Sequence, residues 1–223
     1  SLENDKVESF IEENSEVAYD TIYKLVSQLE TPVQTEVDSM EMGDVFGPYT
    51  FNGQIKVAKL TGTKMVPSVK SSHVLVAYKG ATRANPSIER TVEEAEARAN
   101  ELLAEIKGSD KDFAEFAKEN SDGPSASKGG DLGWNFKGAM VKEFDDYTFE
   151  NEKGSIGLVK TDFGFHIIKI DDTKEEKKYQ VATLAKKIEA STETINKLYE
   201  DASQFEVEVN QGDFAKITEE KGH

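Results

Sequence analysis

Two apolar segments that each carry one histidine constrain the fold of this chain more than any other feature. The segments are "SSHVLVAY" at residues 71–78 and "VKTDFGFHIIKI" at residues 159–170. Their composition is typical of buried strands. Because side chains alternate across a strand, His166 shares a face with Ile168 and Ile170, and His73 shares one with Leu75 and Ala77. Both rings therefore point at least partly inward, where each nitrogen needs a hydrogen-bond partner. If the strands are neighbours, the rings can bond to each other, although such a pair could also serve only to fix strand register.

The residues between the two histidine strands predict helices and one long loop. Thr91 and Glu94 form a capping box that begins a helix extending to about Lys107. Further predicted elements are a helix over 110–120, a Gly/Ser/Pro loop over 121–134, helical turns over 141–149 and strands near 157–160 and 165–170. The order β-α-α-loop-β-α-β-β predicts an α+β domain with a small, mainly antiparallel sheet of four strands.

The flanking residues predict simpler structure. An apolar stripe predicts an amphipathic helix over 15–30, and Asn52-Gly53 predicts a hairpin within 47–60. Segments 61–70 and 171–178 read as linkers, followed by a strand-like segment and a helix capped at Ser191. We therefore expect an N-terminal flank (1–68), a central domain (69–172) and a C-terminal flank (173–223). We also expect the sequence to be part of a longer chain, which could carry a membrane anchor beyond these residues.

Composition excludes several classes of function. The formal net charge is −16 and the pI is near 4.7, so the surface repels nucleic acid and anionic lipid. The chain has no cysteine, which excludes disulfides and thiolate chemistry. The sequence contains no HExxH spacing, no G-x-S-x-G and no G-x-G-x-x-G opening a helix. We therefore expect no metal and no cofactor.

Four motifs carry a family resemblance over residues 69–172. In order, they are "SSHVLVAY", "FAKENSDGPSASKGGDLGW", "FKGAMVKEFDDYTF" and "VKTDFGFHIIKI". Their order and spacing resemble a parvulin-type (PpiC-type) peptidyl-prolyl cis-trans isomerase domain, an FKBP-like α+β fold. The extended flanks look like those of the extracytoplasmic bacterial folding factors of the PpiD, SurA and PrsA group, with PpiD-like proteins the nearest in kind.

The resemblance implies a site made of two groups of residues. Catalytic roles fall on His73, Asp122, Thr161 and His166. Substrate-binding roles around the proline ring fall on Leu132, Met140, Phe144 and Phe163. The family usually places cysteine or aspartate where this chain has Gly123, and the carboxylate stands one residue earlier. A methionine and a phenylalanine four residues apart on a helix are also typical of an ordinary core, so their pocket role depends on the motif.

The implied function is a prolyl isomerase that assists the folding of exported proteins outside the cytoplasm, in the periplasm. The alternative is a non-catalytic chaperone, or holdase, that binds unfolded clients through the same domain. Expected partners are unfolded or extended polypeptides that contain proline. Isomerases specific for phosphoserine-proline carry clustered basic residues after the first strand, whereas Lys79, Arg83 and Arg90 are scattered here. We therefore expect unphosphorylated substrates.

Overall fold

The structure is a computed structural model that describes residues 2–211, with side chains described for residues 6–204. The helices are α1 (Leu2–Asn14), α2 (Thr31–Gln34), α3 (Val92–Lys107), α4 (Phe113–Asn120), α5 (Lys142–Glu150) and α6 (Thr192–Gln211). The strands are β1 (Val45–Phe51), β2 (Gln54–Val76), β3 (Asp131–Phe136), β4 (Ile156–Thr161) and β5 (Gly164–Lys187). In this described part of the chain, no helix combines the length and apolar character that crossing a bilayer requires.

The chain divides into two compact units. The first contains the residues up to Ile22, Val26–Gly62 and the residues from Gln180 onward; the second contains Tyr23–Leu25 and Thr63–Tyr179. Strands β2 and β5 contribute residues to both units because they are long. The family-like motifs all lie in the second unit.

The first unit contains the β1–β2 hairpin that the sequence predicts. Asn52 and Gly53 both have positive φ, 51° and 72°, as a two-residue type I′ turn requires. Beyond the turn, the buried Lys56 ammonium lies 2.5 Å from Glu30 Oε1, and the other carboxylate oxygen, Oε2, accepts a 3.0 Å hydrogen bond from the Tyr49 hydroxyl. The hairpin prediction is confirmed.

The second unit is an α+β domain in which β3, β2, β5 and β4 lie side by side in that order. The pairs β2–β3 and β4–β5 are antiparallel, and Val159 lies opposite His166. One face of the sheet packs on α3 and α4 through Val74, Val76, Phe165 and Ile167. The other face carries Val69, Ile168 and Ile170 against Phe144 of α5. The predicted fold class and the predicted faces of both histidine strands are confirmed.

Helix α3 begins as its sequence predicts. The Thr91 hydroxyl accepts from the backbone N–H of Glu94, and the Glu94 carboxylate accepts from the backbone N–H of Thr91. This reciprocal pair satisfies two donors at the open end of the helix. The buried residues that follow along one stripe are Ala95, Ala99, Leu102 and Ile106.

Four predictions about individual segments are wrong in whole or in part. Residues 15–30 form no α-helix. Ser15 and Glu16 instead hydrogen-bond to the backbone of Thr183 and Ala185, and these contacts replace the helical hydrogen bonds. Segments 61–70 and 171–178 are not linkers, because they lie inside β2 and β5. The predicted loop over 121–134 ends early, since β3 begins at Asp131.

Candidate active site

The two histidines meet on the α5 face of the sheet. His73 Nδ1 lies 2.9 Å from His166 Nδ1, and the rings stack with centroids 5.1 Å apart. The outer nitrogens also have partners: His73 Nε2 lies 2.9 Å from Ser125 Oγ, and His166 Nε2 lies 2.8 Å from Thr161 Oγ1. All four ring nitrogens are therefore hydrogen-bonded in one chain, Ser125–His73–His166–Thr161.

This chain of hydrogen bonds ties the tautomers of the two rings together. A bond between two Nδ1 atoms needs one ring protonated on Nδ1 and the other on Nε2. The ring that carries its proton on Nδ1 accepts from its hydroxyl, and the other ring donates to its hydroxyl. Thr161 Oγ1 also accepts the backbone N–H of Phe163 at 3.1 Å, which fixes the turn between β4 and β5.

Both histidines are held in the neutral form. Burial lowers the pKa of His73 to about 4. Burial, together with repulsion from His73, lowers the pKa of His166 to about 3. The exposed fractions of the two residues are 7% and 5%, so water cannot offset the cost of charging either ring. At neutral pH the pair is a polar but uncharged surface.

Phe144 lies against both rings, edge-on. Its ring centroid is 5.8 Å from that of His73 and 5.5 Å from that of His166, at interplanar angles of 77° and 86°. Phe144 is only 3% exposed and belongs to a buried cluster that Leu132 and Met140 also contact. Phe144 therefore contacts both histidines from within this buried cluster, and its predicted place around the proline ring stays a prediction.

A cavity of about 680 Å³ opens over the histidine pair. Five of the eight site residues expected from the sequence meet in its wall: His73, Asp122, Leu132, Phe163 and His166. Met140, Phe144 and Thr161 are not among the described residues that form this wall. Sequence reasoning missed Ser125, because the loop holds three serines and no pattern marks the one that reaches a histidine.

The Asp122 carboxylate is already engaged. One oxygen accepts a 3.0 Å hydrogen bond from the backbone N–H of Ala77 and lies 2.9 Å from the Arg90 guanidinium. The Asp122 backbone N–H donates to the Leu75 carbonyl at 2.8 Å. Asp122 therefore joins the loop to the end of β2, and Arg90 offsets its charge.

Two glycines let the loop approach the histidines. Gly130 has φ of +76°, and a Cβ there would lie 2.2 Å from the carbonyl oxygen of His73. A Cβ at Gly123 would lie 3.6 Å from His73 Nε2 and 3.3 Å from Leu75 Cβ. A side chain at Gly123 would thus sit beside the ring nitrogen that Ser125 contacts in this chain.

Comparison with known proteins decides the family. The model of the PPIC-type PPIASE domain matches residues 55–174, more than half of the chain. This chain belongs to that family. The foldase protein PrsA of Geobacillus kaustophilus is 34% identical over 167 residues, which cover 70% of this chain and 52% of that protein. PrsA of Staphylococcus aureus is 29% identical over 161 residues, covering 69% and 50%. The chain thus spans about half the length of these relatives.

Solved structures give similar matches. The crystal structure of PrsA from Bacillus subtilis is 34% identical, covers 47% of this chain and 35% of its own, and superposes with a TM-score of 0.38. The peptidyl-prolyl isomerase ESS1 from Candida albicans is 28% identical, covers 47% and 63%, and gives a TM-score of 0.45. Both relatives described above carry the name PrsA, which corrects the expected likeness to PpiD-like proteins.

Proposed function

We propose that this chain is a peptidyl-prolyl cis-trans isomerase that assists the folding of exported proteins outside the cytoplasm. The observation that carries the proposal is the neutral, fully hydrogen-bonded histidine pair beneath a 680 Å³ cavity, within the segment that matches the family. The substrates are unfolded or extended polypeptides that contain proline.

The chemistry needs no nucleophile. Rotation about a peptide bond faces a barrier of about 18–20 kcal/mol, because resonance gives the C–N bond double-bond character. The planar amide is more polar than the twisted one, so a dry and uncharged cavity disfavours the planar state. Each tenfold acceleration requires about 1.4 kcal/mol of preferential binding to the transition state. Neutral histidines suit this task because a cation beside the carbonyl oxygen would stabilise the charge-separated planar form.

The residues divide into three roles in this proposal. Leu132 and Phe163 hold the proline ring, since both are partly buried in the cavity wall. Thr161 fixes the ring orientation of His166 through its hydroxyl, and Ser125 does the same for His73. Met140 and Phe144 belong to the buried cluster beside the histidines, and Asp122 holds the loop in place through the Ala77 N–H and Arg90.

The test is exchange NMR, or a protease-coupled assay, on a short Ala-Pro peptide. Wild-type protein should accelerate isomerisation, and Leu132→Ala should lower kcat/KM about tenfold, equivalent to about 1.4 kcal/mol of lost transition-state binding. Leu103→Ala is the matched control, because Leu103 packs on the other face of the sheet with α3. It should lower Tm and leave kcat/KM unchanged. Absence of turnover by wild-type protein would refute the proposal.

A cavity in the first unit favours a second, chaperone function. It has a volume of about 440 Å³ and walls that are almost entirely apolar, including Phe10, Val45, Val57 and Leu184. Phe10 is 56% exposed, so part of its ring is accessible to a client at this cavity. The test measures how well the whole chain suppresses the aggregation of an unfolded client. If Phe10→Ser abolishes this suppression and Leu132→Ala does not, the holdase activity belongs to this cavity.

A further inference from the structure

The hydrogen-bonded chain Ser125–His73–His166–Thr161 has two unlike ends. Thr161 is 7% exposed, and its hydroxyl oxygen already accepts the backbone N–H of Phe163 at 3.1 Å. Ser125 is only partly buried, and it lies in the wall of the cavity over the histidines. A hydroxyl has one hydrogen to donate and two lone pairs that accept. A hydroxyl hydrogen without an acceptor is therefore costly at the Thr161 end but not at the Ser125 end.

This difference selects one direction for the hydrogen bonds. Among the described residues, the Thr161 hydroxyl bonds only to His166 Nε2 and to the Phe163 N–H. If His166 donated to Thr161, the Thr161 hydrogen would be buried without an acceptor, which native structures rarely allow. Thr161 therefore donates to His166 Nε2, and His166 carries its proton on Nδ1. That proton is donated to His73 Nδ1, so His73 is protonated on Nε2 and donates to Ser125.

The direction leaves the Ser125 hydroxyl with a hydrogen to donate. Its oxygen accepts from His73 over 2.9 Å and has no further partner in the described part of the chain. Acceptance within a chain of hydrogen bonds polarises a hydroxyl and makes it a better donor. The cavity that Ser125 lines also contains Leu132 and Phe163, the residues proposed to hold the proline ring. The chain of hydrogen bonds thus brings one polarised donor to the substrate cavity.

We propose that Ser125 is a catalytic residue whose hydroxyl donates a hydrogen bond to the prolyl nitrogen of the substrate as the peptide bond twists. The inference rests on the proposed isomerase function and adds a residue to its site. No covalent bond changes and no proton is transferred. The other groups near the pair do not supply this donor, because both ring hydrogens are already donated and the Asp122 carboxylate only accepts.

A donor to the prolyl nitrogen acts on the transition state alone. In the planar amide the nitrogen lone pair is delocalised into the carbonyl group, so the nitrogen is a poor acceptor. In the twisted amide the lone pair returns to the nitrogen, which then accepts a hydrogen bond. An interaction that exists only in the transition state raises kcat and leaves substrate binding unchanged.

NMR of the histidine side chains in the whole chain tests the direction without any variant. The chemical shifts of the ring nitrogens distinguish a protonated nitrogen from an unprotonated one. The expected result is a proton on Nε2 of His73 and on Nδ1 of His166. The opposite pair of tautomers would commit the Ser125 hydrogen to His73 and would overturn the proposal.

Three variants measure what the hydroxyl contributes. Ser125→Ala should lower kcat for an Ala-Pro peptide about tenfold, equivalent to about 1.4 kcal/mol of transition-state binding, and leave KM unchanged. Ser125→Thr retains a hydroxyl and should retain most of kcat. Ser127→Ala is the matched control: it removes an exposed hydroxyl from the same loop, outside the described cavity wall, and should keep wild-type kcat and KM. The tautomers should be unchanged in Ser125→Ala, because Thr161 still fixes them.

The outcomes distinguish this proposal from the isomerase proposal. Wild-type kcat in Ser125→Ala, or a change confined to KM, would overturn the catalytic role of Ser125 and leave the isomerase proposal standing. A loss of kcat that comes with a changed His73 tautomer would make Ser125 a positioning residue, and its role as a donor to substrate would be overturned. If wild-type protein turns over no peptide, the isomerase proposal fails, and the role of Ser125 fails with it.

Discussion

The buried histidine pair makes a quantitative prediction about acid stability. In the unfolded chain each ring takes up a proton near pH 6.5, whereas in the folded protein the pKa values are about 4 for His73 and about 3 for His166. Below pH 6.5 the unfolded state therefore binds more protons, and the free energy of unfolding must fall as the pH falls. The histidine pair costs no stability above pH 6.5, and its destabilising effect grows as the pH falls from 6.5 to about 3, the lower of the two folded pKa values.

The magnitude follows from the linkage relation. Between pH 7 and pH 5, protonation of an unperturbed imidazole stabilises the unfolded state by roughly 2 kcal/mol, while the folded rings remain neutral. The exposed fractions of His73 and His166 are only 7% and 5%, so solvent screening reduces this free-energy difference little. Two histidines together should reduce the free energy of unfolding by about 4 kcal/mol over this range.

Urea denaturation at pH 7 and pH 5 measures this loss. The comparison is with the double variant His73→Leu/His166→Leu, which keeps every carboxylate and His223, so their contributions to the pH dependence cancel. The free energy of unfolding of wild-type protein should fall by about 4 kcal/mol more than that of the variant. Parallel pH profiles would refute the reasoning. If the variant does not fold, ring-proton NMR of wild-type protein decides, since neither buried ring should titrate above pH 5.

Three further predictions concern packing. Phe144→Ala should lower stability by about 3–5 kcal/mol, because the ring is a buried support for both histidines; a normal Tm with lost peptide binding would place it in the open pocket instead. Gly130→Ala should lower Tm far more than Gly133→Ala, since both have positive φ but only the first would push a Cβ against a carbonyl oxygen. An excised fragment of residues 69–172 should unfold cooperatively in urea, with a longer 63–179 fragment more stable; a non-cooperative transition would show that the flanks share its core.

Local patterns predicted the parts of the fold that local forces determine. The Asn52-Gly53 turn and the Thr91 cap depend on neighbouring residues, so their chemistry is visible in the sequence. The faces of the histidine strands follow from strict alternation. The helix prediction for residues 15–30 failed because their apolar spacing suits a helix, whereas hydrogen bonds to β5, more than 160 residues away, determine their structure. The linker prediction for the charged residues 171–178 failed because a polar segment can still form a strand, as these residues do within β5.

The candidate site shows the same division. The family resemblance pointed to His73, His166 and Thr161, and the structure joins these three side chains in one chain of hydrogen bonds. The Ser125 contact and the Arg90–Asp122 pair depend on how the loop folds over β2, and no local rule gives that path.

An isoleucine at position 166 would fill the same space in β5 without any hydrogen bond, so the histidine needs an explanation. Each ring nitrogen of the pair has one partner, and removing either ring would leave a buried polar atom unsatisfied at a cost of about 1–3 kcal/mol. Packing alone would therefore be served better by aliphatic residues. What the pair supplies, and isoleucine cannot, is a rigid surface of fixed dipoles without net charge beneath the cavity. A peptide bond loses polarity as it twists, and this surface neither charges nor reorients as the bond rotates.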